Sequence, residues 1–432
     1  MNRNILLFAA VAALYVATGF LNSWNQSLDI LALGLLSAIM ALGVNMQWGY
    51  AGLFSTGIVG SVALGGIAVV LITAPPVEGA WEAGTPRIFA AFAFAVVAIA
   101  LAVLMWRRLP ASRARAIAMA VYLVVAFTIY RVVLDPAVMA VEANNPEHAG
   151  NIGGLGLDPL WAWPVGALLA AIVAWVIGKI TLGLREDYLA IATLGIAEII
   201  IVVLKSEDWL ARGVKNLGLN DRPWPVPYEV DLQKDPGFLE TVASLGADPI
   251  TASTILVKVL YVLMFGLVLA ALIWASERAL NSPWGRMMRA IRDNEIAAAA
   301  MGKDVKKRHL QIFIIGSAVV GLAGAMYTSK FSQINPGEYI PLRFTFLIWV
   351  MVIVGGSGNN WGSVLGGLLL GWLWLIIEDV GPRMMGVATY LLPDGDLKTH
   401  LIDSAQHLRL VALGVVLLLV LRFAPKGLIP EK

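Results

Sequence analysis

The residues of this chain that could do chemistry are few. Its four histidines, His148, His309, His400 and His407, share no short spacing with a carboxylate-rich cluster. Cys is absent, so neither a thiolate metal site nor a disulfide framework can form. No metal centre is expected. The pattern G-x-x-x-x-G-K-[ST] does not occur, so no phosphate-cradling loop for ATP is expected either. The chain does not read as an enzyme and needs no cofactor of its own. One carboxylate, Glu198, interrupts the apolar run Tyr188–Leu204. A carboxylate in mid-bilayer costs at least ~2.5–3.5 kcal/mol, so it must face protein, a partner or a water-filled cavity. Two roles remain open for it: a pathway or gating group, or a hydrogen bond between helices. Asn45 poses the same choice, with interhelical bonding favoured. Gly49, Gly52 and Ser55, and later Gly355 and Gly356, permit close helix packing or broken helices. Irregular backbone at membrane depth is tolerated only inside protein or beside a cavity.

The most informative charged segment is Glu277–Arg308, between two strongly apolar runs. Ser282 followed by Pro283 reads as an N-cap with Pro at the first helical position. The helix it starts would carry Arg286, Arg289 and Arg292 at three-residue spacing. Asp293 and Asn294 offer a second cap, and Glu295 sits where the helix dipole favours an anion. Ala297 and Ala298 begin a strong helix-forming run, and Gly302 supplies a left-handed stop. The expectation is a short Ala-rich helix at the membrane surface. It either binds lipid headgroups or docks into a cleft of a partner.

The elements that hold these residues follow from composition. Apolar types make up 59% of the 432 residues and charged types 14%. Soluble domains sit near ~45–50% and ~25%, so a bilayer is the natural solvent. About 20 apolar residues cross the ~30 Å hydrocarbon layer. Twelve runs qualify as candidate spans: Ile5–Leu21, Ile30–Met46, Thr56–Thr73, Ile88–Trp106, Arg115–Leu134, Leu160–Gly178, Tyr188–Leu204, Thr254–Ala275, His309–Tyr327, Arg343–Val354, Trp361–Ile377 and His407–Phe423. The tenth is short and reads as broken or re-entrant. Continuous runs, rather than alternation, specify helices and not a barrel. The fold class is therefore an all-α polytopic bundle of about 10–12 spans. The first run could be a signal peptide, but its length and the lack of a clean cleavage site favour a retained helix. Within the spans essentially only Glu198 reads as ionisable, so no paired relay is apparent.

Basic residues set the orientation. With the N-terminus inside, alternation places Arg107–Arg115, Lys179–Arg185, Glu277–Arg308 and the tail with Arg422 and Lys426 inside. The opposite side receives Asp135–Asp158, which holds four acidic residues and no Lys or Arg, and the segment around Glu78 and Glu82. Both termini are expected in the cytoplasm. Residues 205–250, with five prolines, read as an ordered external loop.

Five ordered blocks carry a family resemblance. The first is Asn45 with Gly49-Tyr50-Ala51-Gly52-Leu53-x-Ser55-x-Gly57. The second is Asp187-Tyr188-Leu189-Ala190-Ile191-Ala192-Thr193-Leu194-Gly195 with Glu198. The third is Ser282-Pro283-Trp284-Gly285-Arg286 running on to Glu295-x-Ala297-Ala298-x-x-x-Gly302. Gly321–Tyr327 and Val354-Gly355-Gly356-Ser357-Gly358 follow, and Pro425–Pro430 resembles the usual ending. Together they resemble permeases of the branched-chain amino acid ABC transporter family. Two departures stand out. The pair of runs within 88–134 looks like an inserted helical hairpin, and Ala211–Gly218 keeps only part of a Thr-Gly-Gly-like turn.

The resemblance implies a permease subunit in a bacterial-type inner membrane. It implies cytoplasmic ATPase subunits that bind ATP and Mg, a second permease or a second copy of this chain, and an external solute-binding protein. It implies that residues 277–308 couple to the ATPases, with Arg289, Arg292, Glu295, Ala297, Ala298 and Gly302 at the core. The implied cargo is a branched-chain or other apolar amino acid, with urea or short amides as competitors. A proton- or ion-coupled carrier working alone is the alternative from another class.

Overall fold

A computed structural model describes residues 3–144, 150–219, 221–390 and 395–431. Glu147 and His148, in the acidic loop, lie outside the described residues. Each of the twelve apolar runs lies on a helix: α1 (Arg3–Leu21), α2 (Trp24–Gln47), α3 (Ile58–Thr73), α4 (Thr85–Arg108), α5 (Arg113–Glu142), α6 (Pro159–Thr181), α7 (Glu186–Ser206), α8 (Pro249–Asn281), α9 (Val305–Phe331), α10 (Leu347–Gly355), α11 (Asn360–Ala388) and α12 (Leu408–Phe423). Among the described residues nine are long and apolar enough to span, and a bent pair ending in α12 makes a tenth. The remaining two, α3 and α10, are short. The third run is thus shortened as well as the tenth. Residues 52–57 follow irregular backbone, with Gly52 at φ +69° and Gly57 at φ −86°, ψ 21°, so the helix begins at Ile58 rather than Thr56.

The centre of the bundle is α2. Of its most apolar window 78% is buried, against 17% for α4 and 6% for α5. A helix apolar on all sides must be surrounded by other helices or by lipid, and α2 is surrounded by α9, α11 and α8. Small residues permit this: a Cβ on Gly43 would strike the carbonyl of Gly316 on α9. Helices α6, α3 and α9 form the second tightly packed group. By contrast α4 and α5 pack on each other and, at one end, on Ile152 and Trp209. Most of their surface is left for lipid.

The chain ends meet on one face, where Arg3 Nη2 donates to the Leu428 carbonyl at 2.7 Å. On the far face, residues 205–250 carry short helices at Asp208–Ala211, Glu229–Leu232 and Pro236–Ser244. A two-residue strand there pairs antiparallel with Gln333–Ile334.

Candidate functional site

Two linked features stand out: a break in the membrane helices and a knob on the terminus-bearing face. The break is the irregular segment, residues 52–57, before α3. Seven residues into α7, about 10 Å from its start at 1.5 Å per residue, Thr193 meets it. The Thr193 hydroxyl accepts from the Thr56 amide at 3.1 Å, and the Thr56 hydroxyl donates to the Ala190 carbonyl at 2.6 Å. From the other side, Thr345 accepts from the Val59 amide at 3.2 Å and donates to the Thr56 carbonyl at 3.3 Å. Trp349 Nε1 donates to the Ser55 carbonyl at 3.0 Å. These side chains replace the ladder that a helix would have supplied, which is what irregular backbone at this depth requires. Thr345 lies in a π-helical turn, Leu342–Phe346, that precedes α10. The two short helices therefore break beside each other.

The knob follows α8. Pro283–Asp293 forms one short helix and Glu295–Ala300 another. Asn294 caps the second, its Oδ1 accepting from the Ala297 amide at 2.9 Å. Asp293 does not cap; it pairs with Arg292. Ser282 stands at the expected N-cap position, but its hydroxyl donates back to the Ala279 carbonyl at 2.6 Å instead of capping. Gly302 ends the knob at φ +78°, where a side chain would be strained. Ala298 is buried against Ile291 and Val305. Ala297 is exposed, and so are Ile296 (83%) and Met301 (79%). The knob thus presents two large apolar side chains outward from a small-residue helix.

Arg292 ties the knob to the bundle. Its guanidinium donates to the Gly49 carbonyl and forms a two-pronged pair with Glu431, at 2.9 and 3.2 Å. Burial works against its charge, but Glu431 and Asp293 outweigh that and raise its pKa further. Gly49 belongs to the turn that leads from α2 into the break. A second set of bonds fixes that turn to the glycine turn that follows α10. Asn45, fully buried, accepts from the Gly358 amide at 2.9 Å and donates to Asn360 at 3.3 Å. Asn360 in turn donates to Glu277 at the end of α8, at 3.0 Å. The C-terminal segment closes the assembly, Leu428 and Ile429 donating to the carbonyls of Val354 and Gly355 at 2.9 Å.

A family model described as branched-chain amino acid transport system / permease component matches residues 26–421. The chain belongs to that family. A probable branched-chain amino acid transport permease protein LivM of Methanocaldococcus jannaschii is 28% identical over 67% of this chain and 73% of its own length. The high-affinity branched-chain amino acid transport system permease protein LivM of Escherichia coli K12 is 28% identical over 48% of each chain. Across a shorter stretch, 22% of this chain, the ribose import permease protein RbsC of Haemophilus influenzae is 29% identical. No solved structure matches.

In this multi-pass membrane permease, the sequence-selected residues fall into three groups. Asn45, Gly49, Gly52, Gly355 and Gly356 lie at the turns after α2 and α10, and Ser55 lies in the break before α3. Arg292, Glu295, Ala297, Ala298 and Gly302 form the knob, with Arg289 behind it, donating to the Leu280 carbonyl at 3.4 Å. Glu198 stands apart, exposed on α7. Sequence reasoning missed Thr56, Thr193, Thr345 and Trp349, because hydroxyls and indoles in apolar runs look like ordinary span residues. It also missed a charge cluster at the far face. Asp29 lies 2.6 Å from Lys330 and 3.8 Å from Lys258, joining the ends of α2, α9 and α8. Glu198 is therefore not the only ionisable group in the helices, although the cluster sits at helix ends.

Proposed function

We propose that this chain is the membrane-spanning permease subunit of an ATP-binding-cassette importer for branched-chain or other apolar amino acids. Two cytoplasmic ATPase subunits, holding ATP and Mg, seat the knob. A second permease or a second copy completes the pathway, and an external solute-binding protein delivers cargo to the far face. The terminus-bearing face is then cytoplasmic, in an inner membrane, in keeping with its basic residues. One observation carries this reading. An exposed apolar knob is rigidly tied, through Arg292 and Gly49, to a helix break inside the bundle. Exposed Ile296 and Met301 suit a partner's cleft, since buried apolar anchors supply most of the affinity of an interface. Closure of the ATPases pushes the knob, and the Gly49 turn passes the displacement to the break, alternating access between the two faces.

The test is co-purification and uptake. The wild-type chain should bring down an ATPase subunit, and Ile296→Asp with Met301→Asp should release it. Uptake in vesicles driven by a sodium or proton gradient, with no ATPase present, would instead establish a carrier. The relatives' names favour amino acid cargo over urea or short amides, and competition by those solutes for uptake separates them.

A further inference from the structure

A groove opens on the terminus-bearing face where α6 ends and α9 begins. It holds about 490 Å³, within the range of small-ligand sites. Three lysines line it, Lys179 from α6 with Lys306 and Lys307 from α9, against one carboxylate, Asp304. Asp304 is already engaged as the N-cap of α9, its Oδ1 accepting from the Lys307 amide at 3.0 Å. All three lysines are exposed. Among the described residues none of them forms an ion pair or a side-chain hydrogen bond. Lys306 reaches across the groove, its Nζ 3.5 Å from where a Cβ on Gly183 would stand, in the turn after α6. The groove thus carries a surplus of positive charge that the described residues leave unbalanced.

Below the lysines the groove turns apolar. Lys306, Leu310 and Ile314 follow at four-residue spacing and form one stripe of α9. Eight residues at 1.5 Å each place Ile314 about 12 Å beneath Lys306. The headgroup layer is about 5–8 Å deep on each side of a bilayer. With the helix ends at the membrane surface, the lysines stand among headgroups and Ile314 reaches the hydrocarbon. Gly178 closes the floor: a Cβ there would come within 2.6 Å of Leu310 Cδ1, so its absence lets α6 and α9 pack closely. Farther in, the outward surfaces of both helices are apolar and exposed at Ile172, Trp175, Val176 and Ile315.

We propose that this groove binds one anionic phospholipid, its phosphate among Lys179, Lys306 and Lys307 and an acyl chain along Leu310 and Ile314. The site does not depend on what the protein transports. Basic pockets between membrane helices on the side of an anionic leaflet are where such headgroups bind. Charge and shape together choose this occupant. Lysine ammoniums are mobile point charges that suit a phosphate. A zwitterionic lipid would bring its own cation against three lysines, and a soluble anion would leave the apolar stripe unused. The bound lipid joins the end of α6 to the start of α9, the helix that directly follows the knob.

The test gives the full chain, in mild detergent, equimolar phosphatidylglycerol and phosphatidylcholine, and reads the retained lipid by native mass spectrometry. Wild type should retain phosphatidylglycerol at least tenfold over phosphatidylcholine. Lys179→Gln combined with Lys306→Gln and Lys307→Gln should lose that preference. As a control, Arg107→Gln with Arg108→Gln and Arg113→Gln removes three exposed cations from the same face, at the turn between α4 and α5, and should keep the preference within twofold. Should the triple lysine variant not fold, Lys307→Gln alone should lower the preference at least threefold. Millimolar glycerol phosphate should not displace the lipid. The proposal is overturned by a wild type without preference, or by equal losses in the two triple variants, which would mark general surface charge. Displacement by glycerol phosphate also overturns it, making the groove a site for a free anion. So does release of a co-purifying protein subunit by the lysine variant with phosphatidylglycerol retention unchanged, which would make the groove a protein contact.

Discussion

Replacing Arg292 by Met should leave the knob in place and cut it off from the bundle. Met retains most of the apolar stem and removes every bond of the guanidinium. Those bonds are of unequal value. Asp293 is 67% exposed in its side chain, so its pair is worth little. The Glu431 pair is two-pronged, with side chains 24% and 30% exposed. After discounting for solvent it is worth about 1–2 kcal/mol. The bond to the Gly49 carbonyl adds about 1–2 kcal/mol for a charged donor in a partly enclosed place. Because the bonds share one side chain they do not add fully, and the connection is worth about 2–3 kcal/mol. At about 1.4 kcal/mol per factor of ten, that corresponds to roughly 30- to 150-fold in coupling. The assay is amino acid uptake per ATP hydrolysed in proteoliposomes. Arg292→Met should keep its ATPase and keep hydrolysing, while uptake per ATP falls at least tenfold. Glu431→Gln retains the Gly49 bond and should lose much less. If Arg292→Met transports within twofold of wild type per ATP, force does not travel from the knob through Gly49.

Three further outcomes are expected. Thr193→Val removes the acceptor of the Thr56 amide and should cost about 1–3 kcal/mol, read as a lower melting temperature in detergent; Thr193→Ser should restore it. Gly302→Ala forces a side chain into left-handed backbone with nothing within 4 Å to clash, so the penalty is purely conformational, about 1–2 kcal/mol. Limited proteolysis at the knob should speed up, and Gly302→Asn should be milder. Asp29→Ala leaves Lys330 and Lys258 facing each other without their shared carboxylate, and should lower the melting temperature more than Lys258→Met does, because Lys258 sits at 3.8 Å and Lys330 at 2.6 Å.

Much of the helix plan was legible because burial in lipid demands long apolar runs, and the runs for α1, α2 and α4 to α9 fall on helices a few residues longer at one or both ends. The knob was legible for a different reason. Asn294, Glu295 and Gly302 act locally, through a cap, a dipole and a positive φ, and local effects are written in adjacent residues. The break was not. Thr56 to Gly57 continue an apolar run whose hydropathy gives no hint of unwinding. Their non-helical path is held by Thr193, Thr345 and Trp349, which lie more than 130 residues away in the chain. The glycines before it allowed either close packing or a broken helix without deciding between them, and the resemblance covered the same Gly49–Gly57 block. The role of Arg292 was half legible: its charge marked the loop, but the bond to Gly49, 243 residues earlier, could not be read from spacing. Similarly, Ile296 and Met301 were passed over for the alanines beside them, although their exposure makes them the larger contact surface.

On the importer reading proposed above, the geometry offers a route by which a push at the surface would reach the break. From Gly49 to Leu53 the chain is a turn bonded back to the end of α2, with Gly52 donating to Trp48 and Leu53 to Gln47, and residues 54–56 continue as irregular backbone without a helical ladder. Each end is pinned by a side chain from elsewhere: Arg292 at Gly49, Thr193 and Thr345 at Thr56. A packed helix would transmit displacement only by moving whole. A pinned irregular segment could instead swing about its attachments, and exchanging the partners of a threonine hydroxyl would cost about 0.5–1.5 kcal/mol net for each bond. That cost is small beside the free energy of ATP hydrolysis. Valine at position 345 tests this step: Thr345→Val leaves the Val59 amide without its acceptor and fills similar space. Folding should survive, with a lowered melting temperature. Uptake per ATP should fall while ATPase binding holds, since the knob is untouched. Equal loss of ATPase binding would show that the break and the knob form one structural unit and not a hinge with a handle.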